Sequence, residues 1–121
     1  MQILPELNKL QIHAVLSNAP DFDRWKTGLV SDDDKELELG LFLQLLYSQS
    51  VMAPFDWEAE FSGRGSHLVD ASALATMTFD ELRRVLIANV RLDRFSRGHL
   101  RNLAESGYLA QALARMEQLA P

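Results

Sequence analysis

There is no cysteine in the chain. That one absence excludes disulfides, zinc–thiolate centres, iron–sulfur clusters and a cysteine nucleophile. No apolar run approaches the ~18–20 residues that a membrane-spanning helix needs. The start, Met1-Gln2-Ile3-Leu4-Pro5-Glu6, has neither the basic residues nor the small-residue cleavage site of a secretory signal. The expectation is a cytoplasmic protein with no membrane association. Catalytic motifs are missing too. There is no Gly-x-Ser-x-Gly elbow, no P-loop and no Gly-x-Gly-x-x-Gly after a strand, and Gly63-Arg64-Gly65 reads as a turn. His13, His67 and His99 are scattered and form no His-x-x-x-His pair, so neither a metal nor a cofactor is expected.

What remains is an ordinary globular composition, 47% hydrophobic and 24% charged over 121 residues. One domain covering 1–121 follows from that length. The formal net charge of −5 is unevenly spread. Residues 1–77 carry −7, and residues 78–121 carry +2 with arginine as the only basic type. An acidic chain repels nucleic acid at long range. The acidic front therefore complements the arginine-rich back, within one chain or between two.

Apolar spacing of three and four residues predicts an all-α bundle of five to seven helices. A first helix over Glu6–Leu16 has Pro5 in its opening turn. Asp21–Lys26 makes a further turn or two, stopped by Gly28. Ser31 caps the clearest element, with Asp32, Asp33 and Asp34 favoured by the helix dipole in its first turn. Leu37, Leu39, Leu41, Phe42, Leu43, Leu45, Leu46 and Tyr47 leave that helix almost no polar face, so it should be the buried centre. Gly40 inside it implies another helix passing close. Phe55, Trp57 and Phe61 pack on the body around an exposed 62–66 turn, and Asp70 caps a short helix to Met77. Thr78-Phe79-Asp80-Glu81 is a capping box opening a helix to about Arg94. A short helix over Gly98–Glu105 follows, then Ser106-Gly107 as a stop, then a last helix over Tyr108–Leu119.

One stretch resembles a known family. Val90-Arg91-Leu92-Asp93-Arg94-Phe95, then Gly98-His99-Leu100, Glu105-Ser106-Gly107 and Leu113-Ala114-Arg115-Met116, are similar to the C-terminal signature of a family of small bacterial proteins of unknown function. That signature is Arg-x-Asp-Arg-Phe-x-x-Gly-x-Leu, a later Gly and a Leu-x-Arg-aliphatic turn. Phe79-Asp80-Glu81-Leu82-Arg83 and the pair Asp56-Trp57, shortly after Tyr47, also match. The resemblance covers roughly residues 40–119, and Ile87-Ala88 stands where the family has Leu-Thr. It implies a helical domain and names no chemistry.

The same segment has a physical reading. Arg91 and Arg94 share a helix face, Phe95 anchors the turn in the core, Gly98 frees the backbone, and the next helix begins at His99. Arg91, Asp93, Arg94, His99 and Arg101, with Arg97, thus form either an anion-binding cluster or a structural corner. In the structural case Arg91 and Arg94 pair with acids such as Asp93, Asp56 or Glu58. The leading functional expectation is a non-enzymatic interaction module that self-associates as a homodimer, with Trp25 and Phe61 as exposed aromatic candidates. The second is a protein or enzyme binding a small anionic or nucleotide-related ligand at Arg91–Arg101. The third is a DNA-binding regulator reading bases with Arg97, Arg101 and Asn102, which the acidic total disfavours.

Overall fold

The computed structural model describes residues 3–120. Six α-helices and three 3-10 segments account for the regular structure, with no strand among the described residues. Helix α1 is Lys9–Asn18, α2 Asp32–Ser48, α3 Trp57–Glu60, α4 Phe79–Leu92, α5 His99–Glu105 and α6 Tyr108–Leu119. The 3-10 segments are Phe22–Thr27, Gly65–Leu68 and Ala71–Thr76. All-α architecture is what the spacing predicts.

Most boundaries follow from caps. Ser31 accepts the Asp34 N–H at 3.1 Å, Asp70 accepts that of Ser72 at 3.0 Å, and Thr78 and Glu81 form the reciprocal box that opens α4. Helix α1 begins later than its apolar spacing suggests. Asn8 and Gln11 make a capping box there, and Pro5 precedes the helix rather than opening it. Gly28 closes the first 3-10 segment with φ at 73°, a conformation that costs glycine little.

The buried centre is α4, not the helix expected there. Every residue from Leu82 to Val90 is buried, including Arg83, Arg84 and Asn89. The reason is that α4 lies between two apolar clusters. One is the main core, built with α2, α5 and α6; the other is a small cluster of Leu4, Ala53 and Ile87 on its far side. Helix α2 is peripheral. Only Leu39, Phe42 and Leu46 are buried, one face at three- and four-residue spacing. Phe42 meets Phe22 edge-on at 5.3 Å, and Phe22 meets Trp25 at 5.4 Å. Leu37 and Leu41 stay 61% and 53% exposed. An all-round apolar pattern gives the capacity for burial; neighbours on one side only use half of it.

Gly40 likewise has no helix against it. A Cβ built there meets nothing within 4 Å. Gly40→Ala should therefore raise stability by about 0.5–1 kcal/mol, the helix-interior cost of glycine relative to alanine. Urea unfolding with an unchanged slope and a higher midpoint is the expected result.

Candidate functional site

The corner after α4 holds the five candidate residues, and the structure gives them different surroundings. The chain leaves α4 through overlapping turns, with the Phe95 and Ser96 N–H groups donating to Leu92 O at 3.0 and 2.9 Å. Gly98 then takes φ 89° and starts α5. A glycine has no side chain with which to cap that helix. Asp93 does so instead, its Oδ1 accepting the Leu100 N–H at 2.9 Å. The helix start that was expected to attract an external anion is thus served by the chain's own carboxylate, with the dipole adding to the attraction.

His99 is turned inward. Its Nε2 lies 2.8 Å from Asn89 Oδ1, while Asn89 Nδ2 donates to Leu68 O at 2.9 Å. With the amide so oriented, Nε2–H donates to Asn89. This fully buried asparagine fastens the 65–68 turn and α5 to α4. Nearby, burial pushes the pKa of the Tyr108 hydroxyl up to about 12, with Asn89 pulling it partly back. Burial lowers the His99 pKa, with Asp93 pulling it partly back. The unfolded chain therefore binds a proton at His99 more readily than the folded one. The stability this group contributes is present above its unfolded pKa, about 6.5, and is lost as pH falls below that. Urea midpoints should drop between neutral and mildly acidic pH, and His99→Gln should remove that part of the drop.

Arg101 is committed to acids. It reaches Glu105 at 2.7 Å, Asp32 at 2.5 Å and Glu36 at 3.1 Å, and these carboxylates hold its pKa above the usual arginine range. Two of them come from α2, so front and back halves complement each other within one chain.

Arg91 and Arg94 differ from the rest. Neither makes an ion pair among the described residues. Both donate to a single neutral acceptor, the Tyr47 hydroxyl, each at 3.4 Å. The pairing with Asp93, Asp56 or Glu58 expected for them is not found among the described residues; the arginine of this face that does pair with acids is Arg84, two helical turns before Arg91. Arg84 contacts Asp80 at 2.7 Å and Glu60 at 3.1 Å and lies over the Phe55 ring at 5.3 Å. Phe95 is not an anchor: it is 76% exposed. The aromatics expected at the surface are in the core instead, Trp25 at 4% and Phe61 at 8% exposed.

Two features escaped the sequence reading. One is Arg83, adjacent to the apolar positions of α4 and 4% exposed. It donates from Nε to Val51 O and from Nη2 to Ser50 O, both at 3.0 Å, and from Nη1 to Pro5 O. The other is the exposed face of α2. Asp33, Leu37, Gly40, Leu41, Gln44 and Tyr47 recur at helical spacing and all are exposed. That stripe runs from an acidic N-terminal turn to the Tyr47 hydroxyl, where Arg91 and Arg94 meet.

Among the described residues no group of three or more His, Asp or Glu could hold a metal ion, and no helix is long and apolar enough to cross a membrane. No curated protein and no solved structure matches the chain. A family model does, over residues 5–121, which is nearly the whole length. The chain with this corner and this exposed stripe belongs to the family of unknown function DUF6508.

Proposed function

We propose that this protein is a non-enzymatic interaction module that pairs with a second copy of itself through the exposed face of α2. One observation carries the reading: Gly40 sits at the midpoint of α2, open on an exposed stripe that runs from Asp33 to Tyr47, where Arg91 and Arg94 meet. A small residue lets two helix backbones approach closely. In a two-fold arrangement crossing at Gly40, helix positions equidistant from it come level. Asp33 of one copy then lies opposite Tyr47 of the other, beside Arg91 and Arg94. Among the described residues Asp33 makes no ion pair and neither arginine pairs with a carboxylate. The same surface serves both copies, as an isologous interface requires. Leu37 and Leu41 supply the apolar contact.

Sedimentation equilibrium at tens of micromolar tests this. The wild-type chain should be dimeric and dissociate as salt is raised. A Cβ at Gly40 meets nothing within 4 Å, so Gly40→Leu should leave the monomer as stable while the dimer is lost. Asp33→Arg should also give monomer, and Asp33→Arg with Arg94→Asp should restore pairing. A monomeric wild type, or a Gly40→Leu protein that stays dimeric, would sink the reading.

The same two arginines favour a second reading, a seat for a small anion such as a phosphate. A ligand-induced thermal shift by phosphates or nucleotides, lost in Arg94→Gln, would support it over pairing. The commitment of Arg101 to three carboxylates weighs against α5 as a DNA-recognition helix.

A further inference from the structure

A second surface of the same corner has a different chemistry. A cleft of about 420 Å³ opens between α3, the 65–68 turn and the end of α4. That is within the ~300–1,000 Å³ of small-molecule sites. Trp57, Phe61, Leu68, Leu92 and Phe95 make its walls, and Glu58 is the one ionisable group among its lining residues. Glu58 is exposed and makes no ion pair among the described residues.

The geometry points to a binding site for a small organic cation, a methylated ammonium, held between Trp57 and Phe95 with Glu58 as its counter-charge. Aromatic faces carry negative potential and attract weakly hydrated cations. Three of the chain's own cations make that contact: Lys35 lies over Trp25, Arg84 over Phe55, and Arg64 over Phe61, one of the cleft walls, at 5.2–5.5 Å. Among the described residues no cation lies over Trp57 or Phe95. An anion in the cleft would face Glu58 with no cation among the lining residues. A neutral apolar ligand would satisfy the walls but would leave the Glu58 charge unanswered. A charged ammonium satisfies both. Phe95 gains a role as well, since its exposed ring contributes little to the core.

The test is independent of how copies pair, because no residue of the α2 stripe lines the cleft. The probes are choline and its neutral isostere 3,3-dimethylbutan-1-ol, titrated into ¹⁵N-labelled protein. The readout is the indole N–H signal of Trp57, assigned with Trp57→Phe and compared with that of buried Trp25. Choline should shift the Trp57 signal saturably and leave Trp25 in place. The isostere should bind about tenfold more weakly. Glu58→Gln should weaken choline by about threefold and leave the isostere unchanged. Phe95→Ala should weaken both. Both changes are at exposed positions, so unaltered thermal unfolding should accompany them. Equal binding of the two probes, a Glu58→Gln protein that binds choline as the wild type does, or a Trp57 signal unmoved at tens of millimolar choline would overturn the assignment.

Discussion

Replacing Arg83 by methionine should lower the unfolding free energy by about 3–5 kcal/mol, the range for breaking a buried charged contact from one side. Methionine fills much of the same volume, so packing is not the main loss. The loss is three hydrogen bonds from a charged donor, each worth about 1.5–3 kcal/mol before the chain relaxes. The carbonyls of Pro5, Ser50 and Val51 would be left facing an apolar thioether. Burial already lowers the Arg83 pKa, and Asp80 offsets that only in part. The guanidinium is therefore held by carbonyl dipoles rather than by a carboxylate. Lysine should rescue poorly, because a single ammonium does not reproduce a planar fork aimed in three directions. Chemical denaturation of Arg83→Met and Arg83→Lys measures both. A loss under 1 kcal/mol for methionine would show that the three carbonyls find water without cost.

Phe42→Ala should cost about 3–5 kcal/mol, the usual range for truncating a buried phenylalanine. The ring is fully buried and packs edge-on against Phe22, which packs in turn on Trp25. Removing it opens a hole between α2 and the 22–27 segment and takes away an aromatic contact worth a further fraction of a kcal/mol. Leu41→Ala, one residue away, should change the stability of the monomer little, because in the single chain that side chain is half in water. The contrast between the two neighbours tests whether α2 presents one face to the core. Equal losses would place α2 inside the bundle.

Local signals were legible in the sequence where the chemistry is local. Ser31, Asp70 and the Thr78–Glu81 box mark helix starts because capping involves residues two or three apart. Gly28 and Gly107 mark stops because a positive φ suits glycine best. Position in the bundle was not legible. The α2 pattern is more apolar than that of α4, yet α4 is the one enclosed. What encloses it comes from Leu4 and Ala53, far away in the chain. Within the site, the segment from Arg91 to Arg101 was found, but its division of labour was not. Nothing in the order of residues says that Asp93 caps α5, that His99 turns to Asn89, or that Tyr47 from another helix collects Arg91 and Arg94. Arg83 was missed for a related reason. A cation beside a helix's apolar face reads as solvated, and its partners are main-chain oxygens, which have no signature in any sequence.

That last point has a consequence for how the chain tolerates change. The grip of Arg83 depends on where the backbone runs and not on which side chains Pro5, Ser50 and Val51 carry. Substitutions at the two ends of this clamp leave every acceptor in place, since each residue type supplies a carbonyl. Altering the length of the α2–α3 connection does not. A single residue inserted between Tyr47 and Ser50 shifts both oxygens of that segment out of register with a guanidinium fixed on α4. For this clamp the segment after α2 is therefore strict in length, while its limits on composition come from elsewhere, from the core at Val51 and from the positive φ at Ser50.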